Sequence, residues 1–103
     1  MSVDEVLAAL AEPTRRELLD LLAARGEATA TSLAGQVSVS RQAVLKHLNV
    51  LETAGLVESR RSGREVRYQV RPRDLAETAR WMARLASDWD RRLTRLKRRA
   101  EAD

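Results

Sequence analysis

The chain has 103 residues, 33% of them charged and 44% hydrophobic, a globular balance for one domain that excludes a disordered or low-complexity protein. It has no cysteine, which excludes disulfides, thiolate metal sites and thiol redox chemistry. The net charge of +4 is concentrated: residues 56–73 hold 6 cations and 2 anions, whereas residues 1–55 hold 5 and 7.

No apolar run approaches the roughly 20 residues that cross a bilayer, and no membrane partner is expected. The start, MSVDEVLAAL, is acidic and lacks the positive segment of a secretion signal, so a cytoplasmic protein is expected. With no Phe, one Tyr and two Trp, the core must be built from Leu, Val and Ala.

A first helix is expected from Ser2, which has capping-box spacing to Glu5, with Val6, Leu7 and Leu10 following. Pro13 suits the first turn of a second helix, whose broad apolar face is Leu18, Leu19, Leu21 and Leu22. Gly26 ends it as a left-handed residue would. A third, short helix is expected over Ala30 to Val37, capped by Thr29. Ser38-Val39-Ser40 then leaves room only for a tight turn. A fourth helix follows, from Arg41 to Thr53, and Gly55 stops it.

The fourth helix has two faces. With Val44 at zero and 100° per residue, Leu48 and Leu51 fall within about 40° of it, while Gln42, Lys46 and Asn49 fall between about 140° and 200°. Ser40 is placed as N-cap, and Val39 can staple to Val44 to fix the entry angle. The polar stripe holds residue types that serve base edges, and Arg41 in the first turn is placed to meet a phosphate. His47, the one histidine, lies at about −60°, beside the core face, with no second ligand or nucleophile; it reads as structural.

The period then changes to two. Val57 to Arg61 is one expected strand; Val66, Tyr68 and Val70 alternate with Arg67 and Gln69 in another. Ser62-Gly63-Arg64-Glu65 joins them, giving a hairpin with a basic tip, and Pro72 ends it. Arg60, Arg61, Arg64 and Arg67 lie on or beside it, where arginines can neutralise phosphates or enter a minor groove. Helix, turn, polar-faced helix and basic hairpin together make the winged helix-turn-helix pattern.

From Leu75 the chain is expected to be helical almost to its end. Leu75, Ala79, Met82, Ala86, Trp89, Leu93, Leu96 and Ala100 alternate spacings of four and three, a coiled-coil-like seam. Such a helix spans roughly 40 Å, more than a small domain can cover, so a second copy of the chain is the simplest cover.

Three blocks now resemble a known family. "LAEPTRRELLDLLA" (10–23), "SLAGQVSVSRQAVLKHLNVLETAGLV" (32–57) and "SGREVRYQV" (62–70) are similar to the winged helix-turn-helix repressors of the ArsR/SmtB family over about residues 3–90. The resemblance implies a homodimeric transcriptional repressor. Its first and last helices, here with Val6, Leu75, Ala79, Met82, Ala86, Trp89, Leu93 and Leu96, form the dimer interface. The helix at Arg41–Thr53 enters the major groove, and Val57–Val70 is the wing. The tail with Trp81 and Trp89 is similar to a metal-independent subgroup.

Departures bear on metal sensing. Family sensors carry Cys-x-Cys near the start of the third helix, where this chain has Thr29 and Thr31. A second family site aligns with Pro72, Asp74, Leu85 and Asp88, a poor zinc set. No metal and no cofactor is expected. Ser38 stands where the turn often has Gly, at a cost on the order of 1 kcal/mol if left-handed.

The expected fold is mainly α with a small β-hairpin, in the order α-α-α-α-β-β-α, dimerising through terminal helices. One domain over residues 1–103 divides into N-terminal helices (3–28), helix-turn-helix (29–54), wing (57–70) and dimerisation helix (73–101). The expected function is a sequence-specific double-stranded DNA-binding regulator, a homodimeric repressor on a pseudo-palindromic operator. Ser40, Arg41, Gln42, Lys46, Asn49, Arg60, Arg61, Arg64 and Arg67 are the candidate DNA contacts. The alternative is a winged-helix protein-interaction module that has lost specific DNA binding. No catalytic residues are assigned: there is no Gly-rich phosphate loop or acid pair at catalytic spacing, so an enzyme is not expected. The residues do not identify a small-molecule inducer.

Overall fold

A computed structural model of the protein describes residues 3 to 102. In chain order the elements are α1 (Val3–Leu10), α2 (Pro13–Arg25), β1 (Ala28–Thr29), α3 (Ala30–Ala34), α4 (Arg41–Thr53), β2 (Val57–Ser62), β3 (Glu65–Val70) and α5 (Pro72–Ala102). The expected capping role of Ser2 lies outside the described residues.

Local chemistry sets the helix ends. The Glu12 side chain accepts the Arg15 N–H at 3.2 Å and caps α2, with Pro13 in the first turn. Gly26 stops the helix at φ 85°, its N–H donating to the Leu22 carbonyl at 2.8 Å; a side chain in that left-handed region would be strained. Thr29 Oγ1 accepts the Ser32 N–H at 3.1 Å and caps α3, as expected.

Three local expectations change. First, α3 stops at Ala34 rather than Val37, because Gly35 follows and the chain turns over residues 35–40. Val37 and Val39 still pack on the core from that turn. Second, Ser38 is not left-handed: among the described residues only glycines have positive φ. A six-residue connection spreads the reversal, so no single residue has to adopt the strained conformation. Third, Ala28–Thr29 forms a strand that the sequence reading lacked. It pairs antiparallel with β3, Ala28 opposite Tyr68, and makes a three-stranded sheet of order β1-β3-β2. The element order is therefore α-α-β-α-α-β-β-α.

The hairpin is tighter than expected. Ser62 pairs with Glu65, so only Gly63 and Arg64 turn the chain. Gly63 has φ 64° and Arg64 does not share the positive φ, the pattern of a type II′ turn with glycine first.

The core is aliphatic. Leu18, Leu22, Leu33, Leu48, Leu51 and Leu56 are fully buried, and Tyr68 is the one aromatic among the core side chains. Each such leucine contributes about 1.5–3 kcal/mol of transfer free energy. Val6, expected at a dimer interface, belongs to this core instead. It is 1% exposed because α1 turns that face inward, and it has no surface to offer a partner.

The last helix begins at Pro72, one residue before the expected bound of 73 and three before the first seam residue, Leu75. The first turn of a helix needs no N–H from its proline. Only its start is covered: Leu75 packs on the core, Thr78 is buried, and α1 lies alongside. Beyond that, Met82, Leu85, Trp89, Leu93 and Leu96 are all more than 40% exposed. Its 31 residues reach about 46 Å. The molecule measures 70 × 25 × 21 Å, with a radius of gyration of 18.6 Å against about 13 Å for a compact chain of this size.

Candidate nucleic-acid interface

The helix that carries the polar stripe has a fixed start. Ser40 Oγ accepts the Ala43 N–H at 3.1 Å, satisfying a donor that the helix itself cannot. Buried Val44, Leu48 and Leu51 seat α4 against α2, α3 and β2. Arg41, Gln42 and Lys46 stand exposed on the other side. Arg41 is steadied from α3: its Nε donates to Thr31 Oγ1 at 2.9 Å. Asn49 is also exposed but sits apart from that group. It lines a cleft between α1 and α4 together with Ala8, Arg15 and Val50.

His47 occupies the structural position read from the wheel. Arg15 anchors it: Nε donates to the Ala9 carbonyl at 2.5 Å and one terminal nitrogen to the Ala8 carbonyl at 3.2 Å. The other terminal nitrogen lies 3.3 Å from His47 Nδ1. An arginine can only donate, so Nδ1 accepts, and a neutral ring carries its proton on Nε2, 3.7 Å from the Glu12 carboxylate. Arg15 thus ties the end of α1 to the inner side of α4. Sequence reasoning missed this residue, because its partners are backbone carbonyls and a histidine 32 positions away.

The wing sorts its arginines by face. Across the hairpin, Arg60 lies opposite Arg67, Arg61 opposite Val66, and Ser59 opposite Tyr68. Residues directly opposite share a face, and successive residues alternate. Arg61, Val66 and buried Tyr68 are therefore on the inner face, and Arg60 and Arg67 on the outer one.

The outer pair is neutralised within the protein. One Arg60 terminal nitrogen donates to both Glu27 oxygens, at 3.0 and 3.1 Å. Arg67 donates to Glu27 at 3.2 Å and to Glu65 at 3.1 Å. The hydrogen bond from Arg60 is the main reason the Glu27 carboxyl is held below its ordinary range, with Arg67 adding to it against some desolvation. Glu65 first, then Glu27, raise the Arg67 pKa. The Nε of Arg67 is buried without a hydrogen-bond partner.

Arg61 and Arg64, by contrast, have no carboxylate partner among the described residues. Sequence reasoning grouped all four arginines because it lacked Glu27. That acid comes next to the wing only through the two-residue β1, whose register no periodicity reveals.

The aligned metal positions do not fit a soft metal. The Thr29 hydroxyl caps α3, the Thr31 hydroxyl accepts from Arg41, and Asp88 is paired with Arg91. Among the described residues no group of three His, Cys, Asp or Glu side chains could hold a metal ion. Among the described residues no helix is long and apolar enough to cross a membrane.

Comparisons with known proteins agree with this geometry. A family model described as a helix-turn-helix domain matches residues 10–60. The chain is 31% identical over 88 residues to the transcriptional repressor SdpR of Bacillus subtilis (strain 168), covering 85% of this chain and 97% of that protein. Among solved structures it is similar to an ArsR-like transcriptional regulator from Rhodococcus sp. RHA1, with 47% identity and a TM-score of 0.81 over 93% of this chain and 90% of that one. It is also similar to the homodimeric winged helix-turn-helix DNA-binding domain of a possible ArsR-family regulator from Mycobacterium bovis. There the identity is 32% and the TM-score 0.63, over 85% of this chain and 78% of that one.

Proposed function

The chain belongs to the ArsR/SmtB family of winged helix-turn-helix transcriptional regulators, and we propose that it is a homodimeric repressor reading a pseudo-palindromic operator through α4 and the tip of its wing. The observation that carries this reading is the pattern of unneutralised charge. Arg41, Lys46, Arg61 and Arg64 are exposed, without a carboxylate partner among the described residues, beside Gln42, on and next to a helix whose start is locked by Ser40.

Each part has a physical task. Gln42 offers a paired donor and acceptor to an adenine edge, and Lys46 a cation to guanine or phosphate. Arg41 and the free N–H groups of the first turn take a backbone phosphate. Arg61 and Arg64 add phosphate or minor-groove contacts from the wing. Arg60 and Arg67 hold the wing to Glu27 instead of reaching for DNA, and Ser40 acts through its cap. Asn49 stands at the α1 end of the stripe, at the margin of the contact.

The exposed seam of α5 supplies the second copy. Two-fold symmetry then sets the recognition helices in successive major grooves about 34 Å apart, on an inverted repeat. Bound there, the dimer blocks access to the promoter. The protein acts in the cytoplasm, performs no catalysis, and belongs with the members that do not sense soft metals. Support for the last point is the absence of cysteine and the engagement of Thr29 and Thr31 elsewhere.

Selection of genomic duplex fragments with the purified protein at moderate salt tests the proposal. An enriched inverted repeat is expected. A protein that enriches no sequence, or ignores duplex DNA and captures a protein partner, contradicts it.

A further inference from the structure

Between α3, the first turns of α4 and the wing lies a groove of about 500 Å³, within the usual size of a small-molecule site. Its wall is partly apolar, with half-buried Leu45 and with Val66, which is 37% exposed. Arg41 and Arg64 enter it from different elements and have no carboxylate partner among the described residues; the carboxylate in its lining, Glu65, is paired with Arg67. Thr31 fixes the guanidinium of Arg41 at that wall.

Tyr68 is the second observation. Its side chain belongs to the core and is 6% exposed, yet it also lines the groove. Among the described residues its hydroxyl has no hydrogen-bond partner, and its oxygen is not sealed from solvent. Buried tyrosines ordinarily find a partner for that hydroxyl. Burial first, and then the charge of Glu52, raise its pKa, so at neutral pH it is a neutral phenol able to donate. A DNA phosphate would use the two arginines but brings no apolar body to cover Leu45 and Val66.

We propose that this groove is an effector site for a small organic anion with an apolar body, an aryl or branched-alkyl carboxylate or phosphate monoester. Its anionic end lies between Arg41 and Arg64 and accepts from Tyr68; its body covers Leu45 and Val66. Arg41 and Arg64 are also the residues assigned to operator phosphates, so effector and operator compete. This part rests on the DNA-binding reading above.

Two arms test it. In the first, DNA-free protein labelled at Leu and Val methyls is titrated with sodium benzoate or phenyl phosphate, with sodium acetate at equal ionic strength as control. The probes should give saturable shifts at Leu45 and Val66, and acetate should not. Tyr68→Phe should weaken probe binding about tenfold through the loss of one hydrogen bond to a charged group. In the second arm, the probes should release the selected operator from wild type, and Tyr68→Phe should need about tenfold more probe for the same release. No saturable shift at Leu45 and Val66, or the same shifts with acetate, overturns the site. Saturable binding that leaves the operator bound overturns the effector role. The DNA-free arm reads the groove whether or not the operator reading holds.

Discussion

Arg60 and Arg64 lie four residues apart on one hairpin and have different electrostatic circumstances. Arg60 is paired with Glu27, whereas Arg64 has no carboxylate partner among the described residues. Replacing Arg64 by Ala should lower operator affinity across sequences and reduce the slope of log K against log salt by about one. Arg60→Ala should leave that slope nearly unchanged, which filter binding across a salt series measures. Glu27 gives a second check. Its pKa is depressed in the folded protein, so its contribution to stability is full above the ordinary glutamate pKa and is lost as pH falls through the folded value. The stability gap between wild type and Glu27→Gln should therefore be widest near neutral pH and shrink on the acid side, read from melting temperatures against pH. Much at this scale was legible. His47 was placed by its wheel angle and Ser40 by cap chemistry, and both are where the sequence put them. The division of the wing arginines was not legible, because it depends on an acid brought in from position 27.

Elements with a period or a cap could be read from the residues; those without either could not. The α4 helix has both, and its bounds of Arg41 to Thr53 are as expected. Ser40→Ala should cost about 1 kcal/mol in chemical denaturation by freeing the Ala43 N–H, with a further loss in operator binding as the first turn frays. The α3 helix was read three residues too long because Val37 continues the apolar pattern. It does reach the core, but from a turn rather than a helix. The β1 strand has two residues, too few for any alternation to show. Val6 illustrates the limit of carrying a role over from a resemblance: the helix was rightly found, yet its inward face belongs to the protomer's own core.

At the scale of the whole molecule, the proposed assembly rests on α5. Its 3.5-residue seam was visible in the sequence, and the structure leaves most of it uncovered, with Trp89 52% and Leu96 59% exposed. A charge in that seam should be incompatible with a buried interface. Trp89→Asp should sediment as a monomer at micromolar concentration, keep the fold of residues before α5, and lose high-affinity operator binding. The central claim is that two reading heads are held in one register by this helix pair. Its most direct test is to measure affinity for the selected operator after inserting five base pairs between its half-sites, about half a helical turn. The account predicts that binding falls to the level of a single half-site, because the second half-site now faces away. Undiminished affinity for the lengthened operator would contradict it.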